Sequence, residues 1–90
     1  MAEGKFEVEI TYCVPWAHHG TAVWMASEIF AQAGPDVAIR LTPGGAGVLK
    51  VEADGEIIYD KAAEDGNFPD LPRVKEIRAA IQHRLESITV

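Results

Sequence analysis

The side chains best able to take part in a chemical reaction lie close together in the sequence, near the start of the chain. Cys13 is the only cysteine, and the neighbouring histidines His18 and His19 follow it. The residues before Cys13 are typical of a strand, and those after His19 are typical of a helix. The first N–H groups of a helix carry partial positive charge, which favours a thiolate over a thiol. The spacing therefore predicts Cys13 as a monothiol nucleophile, with a histidine as a proton shuttle.

Each of these residues also has a structural interpretation. Cysteines are more often inert than reactive, and Cys13 is alternatively a small, half-buried hydrophobe. His18 and His19 are alternatively surface residues that cap a turn, since a neutral imidazole suits a helix start better than a charged one. A metal site formed by Cys13 with His18 or His19 is a third hypothesis. Its spacing matches no standard zinc pattern, so we predict no metal.

A strand and a helix must position the thiol. Apolar and acidic residues alternate from Phe6 to Ile10, which predicts a half-buried strand over Phe6–Tyr12 that Pro15 cannot continue. Helical spacing then predicts a helix from Ala17 or His19 to Gln32, ended by a glycine–proline pair. Its predicted core positions are Val23, Ala26, Ile29, Phe30 and Ala33.

Three more strands and a second helix follow. The predicted strands are Val37–Leu41, Val48–Ala53 and Glu56–Asp60. Asp54-Gly55 is a hairpin turn, Lys61–Pro69 is a polar loop, and Asp70 caps the last helix. The apolar stripe of that helix is Leu71, Val74, Ile77, Ile81, Leu85 and Ile88. This order of elements predicts an α/β (α+β) two-layer sandwich with a mixed four-stranded sheet, in which the first two strands are parallel.

The size and charge of the chain limit what it can be. Its 90 residues make a single domain, residues 1–90. No apolar run is long enough to span a membrane, the N-terminus does not resemble a signal peptide, and one cysteine excludes an internal disulfide, so we expect a cytoplasmic protein. The net charge of −6 argues against binding nucleic acid. The basic residues of the last helix are interpreted as its solvated face; they are Arg73, Lys75, Arg78, His83 and Arg84.

Two tryptophans near Cys13 offer a second kind of site. Trp24 falls off the predicted core stripe of its helix, and a large aromatic side chain off the core is typical of an interface. Together with Val14, Pro15 and Trp16, it predicts an apolar contact for a protein partner or for a second copy of the chain. The alternative is that Trp24 packs under the glycine-rich segment Thr42–Gly47.

Several short motifs resemble those of one family. Tyr12-Cys13, followed by Ala22-x-Trp24-Met25-Ala26-x-Glu28, is similar to the opening of the selenoprotein W-related (SelT/SelW/SelH, Rdx) family. The later blocks of that family resemble Leu41-x-Pro43-Gly44-Gly45, Asp54-Gly55 and Gly66-x-Phe68-Pro69-Asp70. The resemblance covers roughly residues 6–84 and implies a thioredoxin-like fold.

The resemblance also implies a chemistry. The family is taken to perform thiol or selenol redox chemistry through Cys-x-x-Cys or Cys-x-x-Sec, with glutathione or thioredoxin-like partners. Trp16 stands at the second redox position here, so only Cys13 carries over and a dithiol–disulfide cycle within one chain is excluded. By resemblance, Pro43 is a candidate cis proline that lines the site, and Phe68 closes the site from the far side. Phe68 is alternatively a hydrophobic plug before the last helix.

These residues leave two functions. The first is a thiol-redox protein with a degenerate Cys-x-x-Trp site, glutathione as a candidate co-substrate, and no bound cofactor. The second is a non-catalytic protein-interaction module on the same fold, which uses the face formed by Trp16 and Trp24. That module predicts a homodimer or a complex with another protein. Whether the chain is an enzyme is left open by the sequence.

Overall fold

The computed structural model of the chain describes residues 6–15 and 18–88. The observed order of strands and helices is the predicted one, with a short 3-10 turn after the first helix and another after the last strand. The elements are β1 (Phe6–Cys13), α1 (His19–Ala33), β2 (Val37–Gly44), β3 (Leu49–Ala53), β4 (Glu56–Asp60) and α2 (Leu71–Ile88).

The four strands form one mixed sheet in the order β2-β1-β3-β4. β1 pairs with β2 in parallel, from Phe6 opposite Val37 to Cys13 opposite Gly44. β1 and β4 both pair antiparallel with β3. The predicted parallel pair and the predicted hairpin are therefore confirmed, and β2 and β4 are the two edge strands.

Both helices pack on one face of this sheet, α1 over β1 and β2, and α2 against α1 and β4. Alternate residues of β1 face the helices, so Phe6, Val8 and Ile10 are buried. Fully burying an apolar side chain of this size stabilises the fold by about 1.5–3 kcal/mol. The remaining core is supplied by Met25, Ile29, Leu49, Val51, Tyr59, Val74, Ile77 and Ile81, among others. Among the described helices, none is long and apolar enough to cross a bilayer.

The predicted core stripe of α1 was partly wrong. Ile29 and Ala33 are buried as predicted, but the other fully buried positions are Ala22 and Met25. Val23 and Phe30 are 49% and 55% exposed. Each residue advances about 100° around a helix, so these two side chains lie to one side of the buried stripe. That side faces the free edge of β2.

The stripe of α2 was predicted better. Asp70 caps the helix, because its carboxylate accepts the backbone N–H of Arg73 at 3.0 Å. Val74, Ile77, Ile81 and Leu85 are buried, as predicted. Leu71 is 45% exposed, because it lies in the first turn roughly 75° from the centre of that stripe. The side chain of Ile88 lies outside the described residues.

The basic residues of α2 are not simply a solvated face. Arg73 contacts Glu64 at 2.7 Å, Arg78 contacts Glu28 of α1 at 2.8 Å, and Arg84 contacts Glu56 of β4 at 3.1 Å. That interpretation was therefore wrong for these three arginines. The sequence showed the charges of α2 but not that carboxylates from three other parts of the chain reach them.

Candidate functional site

Cys13 is the last residue of β1, beside Gly44 of the neighbouring strand. Its carbonyl accepts the backbone N–H of His18 at 3.0 Å, which closes the turn that leads into α1. Strand alternation gives Cys13 the parity of Glu7, Glu9 and Thr11, which is opposite to that of the core side chains. Accordingly, Cys13 does not belong to the helix-facing core that the described residues form.

The thiol itself is covered, since Cys13 has 0% of its surface exposed. Both sequence interpretations underestimated this burial, because one required an accessible nucleophile and the other a half-buried side chain. A thiolate must touch the sulfur that it attacks. Any reaction of Cys13 therefore needs a local opening of the segments around it.

Packing beside Cys13 is tight at Gly44. A Cβ atom added to Gly44 would lie 2.7 Å from Cγ1 of Val48 and 2.8 Å from Cγ2 of Thr11. The sequence analysis placed this glycine in the glycine-rich segment Thr42–Gly47, outside the predicted strands. Instead Gly44 belongs to β2, and the close approach is made by side chains of the chain itself.

Pro43 also belongs to β2, directly opposite Tyr12. A proline is tolerated there because β2 is an edge strand. The described part of the chain has no cis peptide bond, so the cis conformation considered for Pro43 is wrong. The side chain is exposed, one residue before the glycine that pairs with Cys13.

Phe68 lies against the turn that follows Cys13. Its ring meets that of His18 edge to face, with 4.7 Å between ring centroids and 82° between planes. The ammonium of Lys61 lies 5.1 Å from the centroid of the same ring. The three residues form a stack, which we call the His18–Phe68–Lys61 stack. Phe68 nevertheless remains 48% exposed, so it is not a core plug.

Lys61 is the residue that the sequence analysis missed. It was assigned to a polar loop, yet it is only 8% exposed. Its ammonium donates to the carbonyl of Gly66 at 3.4 Å, and its own carbonyl accepts the Gly66 N–H at 2.9 Å. No sequence pattern marks this lysine, because its burial depends on how the loop folds back over it.

The loop that carries Phe68 is fastened to both layers of the protein. The hydroxyl of Tyr59, in β4, donates to the carbonyl of Asn67 at 3.0 Å. Burial, with a contribution from the charge of Glu64, raises the pKa of Tyr59 to about 12. Arg73 of α2 holds both carboxylate oxygens of Glu64, and these hydrogen bonds lower the pKa of Glu64. The position of Phe68 is thus fixed from the sheet and from α2.

A polar contact ties β1 to β2 on the sheet face without helices. The hydroxyl of Thr42 donates to Glu9 at 2.6 Å, and Arg40 contacts the same carboxylate at 3.4 Å. The Thr42 hydrogen bond, followed by that of Arg40, lowers the pKa of Glu9. This cluster orders the two strands that end beside Cys13.

The remaining predicted site residues that the structure describes lie at exposed positions. Val14 and Pro15 are exposed immediately after Cys13, and His19 is exposed at the start of α1. Trp24 is 36% exposed and lies about 200° around α1 from the buried Ala22, so it points away from the sheet and not under the glycine-rich segment. Trp16 lies outside the described residues. Within residues 6–15 and 18–88, no three His, Cys, Asp or Glu side chains converge as a metal site.

Comparison with known proteins shows to which family this architecture belongs. The Rdx family matches residues 7–82 of the chain. The chain belongs to the Rdx family. A relative of this Rdx-family chain, migration and invasion enhancer 1 from Bos taurus, is 31% identical over 84 residues, which cover 91% of the chain and 71% of the relative.

Two solved structures share the fold of this Rdx-family chain. A Bordetella parapertussis protein superposes with a TM-score of 0.73 at 30% identity, covering 81% of this chain and 92% of its own. The selenoprotein W-related protein of Vibrio cholerae superposes with a TM-score of 0.78 at 20% identity, covering 90% and 98%. The resemblance predicted from the motifs is confirmed, and the fold is the thioredoxin-like one of the selenoprotein W-related proteins.

Proposed function

We propose that this Rdx-family chain is a thiol-redox protein in which Cys13 acts as a single thiol in a degenerate Cys-x-x-Trp site. Membership of the family supports a redox-related role on a thioredoxin-like fold. The observation that carries the proposal is the position of the chain's one thiol. It ends β1 at the turn that leads into α1, with the His18–Phe68–Lys61 stack against that turn.

The reaction that suits one thiol is exchange with glutathione. The Cys13 thiolate attacks the glutathione sulfur of a mixed disulfide between a partner protein and glutathione, forms a Cys13–glutathione mixed disulfide, and releases the thiolate of the partner protein. A glutathione thiolate then attacks the glutathione sulfur of the Cys13–glutathione mixed disulfide, which regenerates Cys13 and yields glutathione disulfide. The second thiol must come from solution, because the chain has no other cysteine. Glutathione or a protein disulfide is the proposed partner, in the cytoplasm.

Burial of the sulfur sets the rate of this exchange. Since Cys13 is 0% exposed, attack follows a local opening and is not made from the closed structure. The exposed Val14 and Pro15 form the outer part of the segment that must move. We expect slow exchange, with a rate that depends on how firmly Phe68 holds His18.

The test is mass spectrometry of the native chain during incubation with glutathione disulfide. We expect one glutathione adduct that forms on native protein, is absent from Cys13→Ser, and is removed by reduced glutathione. The same chain unfolded in denaturant gives the reference rate. A Cys13 that is modified when unfolded but stays inert for hours when native, from neutral to alkaline pH, is a structural cysteine, and that result rejects the proposal.

The second candidate function is a non-catalytic interaction module, favoured by apolar exposure near the same turn. Val14 is 51% exposed and Trp24 is 36% exposed. Here Trp24→Ala weakens a complex that Cys13→Ser leaves intact. If Cys13→Ser abolishes function and Trp24→Ala leaves it unchanged, the thiol-redox function is supported instead.

A further inference from the structure

An apolar groove of about 390 Å³ runs between α1 and the free edge of the sheet. Its walls include Val23 and Phe30 from α1, and Ile39 and Leu41 from β2. Val23, Phe30 and Leu41 are 49%, 55% and 38% exposed. Of the described residues that line it, only Ser27 is polar. A continuous apolar surface of this kind is typical of an interaction site.

The backbone of β2 adds hydrogen-bonding groups to this groove. The carbonyl of Gly44 accepts the N–H of Val14 and so points towards β1. Strand alternation then turns the N–H and C=O groups of Ile39 and Leu41 outward, to the side of β2 where the described residues form no neighbouring strand. Pro43 falls in the same outward set, where its missing N–H costs no bond within the sheet.

We propose that a second copy of this chain occupies the groove, with the two β2 strands paired antiparallel about a two-fold axis perpendicular to the sheet. This pairing makes one eight-stranded sheet and places both helical layers on the same face of it. The outward backbone groups of Ile39 and Leu41 then bond across the axis. Such an interface is isologous, as in most homodimers.

The spacing of the layers fits this arrangement. Paired strands lie about 4.8 Å apart, and α1 packs equally on β1 and β2. Each α1 therefore lies about 4.8 Å from the axis, and the two α1 helices lie about 10 Å apart. Packed helices are separated by about 8–10 Å. Val23 and Phe30 of each copy thus meet those of the other above the joined strands.

A second copy covers this surface better than a single extended peptide does. A peptide strand pairs with the backbone of Ile39 and Leu41 but leaves Phe30 uncovered in the helical layer. Charge does not oppose self-association at this face, although the chain carries a net charge of −6. β2 contains no carboxylate, and its Arg40 is paired with Glu9. The opposite edge strand, β4, begins and ends with Glu56 and Asp60, which protect it from such pairing.

The area of the proposed interface, which is the face formed by α1 and the free edge of β2, predicts a weak dimer. α1 has 15 residues and is therefore about 22 Å long, and the sheet and helix layers together are about 20 Å thick. The face covers roughly 450 Å² per copy, or about 900 Å² in total, which is less than the area that stable complexes bury. We expect half-association at a concentration on the order of 100 µM.

Analytical ultracentrifugation tests the proposal. Between about 10 µM and 1 mM, the average mass should rise from 9.8 kDa towards twice that value. Phe30→Glu should hold the chain monomeric at 1 mM, with an unchanged circular dichroism spectrum because Phe30 is exposed. Ile57→Glu is the matched control, since Ile57 is 53% exposed but lies on the β4 edge, and it should dimerise normally. Trp24→Ala should also dimerise normally.

Amide exchange by NMR locates the interface. The amides of Ile39 and Leu41 should become roughly fourfold more protected between the 10 µM and 1 mM samples, as expected for half-association near 100 µM, whereas that of Ile57 should not. A chain that is monomeric at 1 mM overturns the proposal, including one whose groove binds only added peptide. A dimer that survives Phe30→Glu, or that leaves Ile39 and Leu41 unprotected, overturns it as well. None of these outcomes depends on the reactivity of Cys13.

Discussion

The turn after Cys13 and the loop from Lys61 to Asp70 meet where the rings of His18 and Phe68 touch, but they are held in different ways. The loop is fastened by side chains, including the Tyr59 hydroxyl and the Arg73 guanidinium. The turn is closed by a backbone hydrogen bond from the N–H of His18 to the carbonyl of Cys13, and the side chain of Cys13 is buried. The comparison shows that the polar surface loop is held in place by side-chain contacts to the sheet and to α2. The turn that follows Cys13 packs against this loop.

The largest expected effect is on the anchor of the loop, Tyr59, which is 1% exposed. Tyr59→Ala removes a core ring together with the hydrogen bond to Asn67, and we expect a loss of about 3–5 kcal/mol in the free energy of unfolding. Tyr59→Phe keeps the ring and should lose only about 0.5–1.5 kcal/mol. Urea denaturation measures both. Equal losses for the two variants would show that the hydrogen bond, and not the ring, anchors the loop.

The next largest effect on stability is expected at Gly44, the residue of β2 that lies opposite Cys13. Gly44→Ala places a methyl group 2.7 Å from Val48 and 2.8 Å from Thr11, so we expect a loss of about 1–3 kcal/mol in unfolding free energy. Gly45→Ala is the matched control, because an added Cβ there meets nothing within 4 Å. If the two alanine variants are equally stable, the packing beside Cys13 is looser than the structure shows.

The contact between the two segments is tested by the reactivity of Cys13. Phe68→Ala removes an edge-to-face contact of about 0.5–1.5 kcal/mol, so local opening of the turn should become roughly 2- to 10-fold more frequent. Alkylation of native protein by iodoacetamide should accelerate by that factor. Leu71→Ala, which removes a 45% exposed side chain in the neighbouring segment, should leave the rate unchanged. Equal acceleration in both variants would mean that Cys13 reacts only through global unfolding.

The two helices show what sequence reasoning captures. The cap at Asp70 and the stripe from Val74 to Leu85 were predictable, because polar and apolar residues alternate there with one helical period. In α1 both the stripe containing Met25 and the flank containing Phe30 are apolar, so periodicity alone does not select the buried side. The position of the helix over β1 and β2 decides it.

The candidate site depended more on tertiary contacts. The position of Cys13 at the end of a strand was predictable, but its complete burial was not, because strand periodicity does not show what packs against a strand end. Lys61 gave no signal, because a lysine in a polar loop is ordinarily solvated. Pro43 was placed in the glycine-rich segment after the second strand, yet it lies within β2, where an edge strand accommodates it. Edge position is a property of the sheet order and not of the local sequence.

The smallest expected effect is the acid sensitivity of the loop, through the Glu64–Arg73 pair. The pKa of Glu64 is lowered in the folded chain by the hydrogen bonds from Arg73, relative to an ordinary value of 4.5. The pair therefore stabilises the fold above pH 4.5, and this contribution is lost as the pH falls through the lowered pKa. Partly exposed pairs contribute less than about 1 kcal/mol. Glu64→Gln should be less stable than the parent at pH 7, and the difference should vanish once the pH has fallen below the lowered pKa of Glu64. Glu76→Gln, which removes the more exposed partner of Arg73, is the control and should show a smaller difference at pH 7. A pH-independent difference for Glu64→Gln would mean that shape, and not charge, fastens the loop to α2.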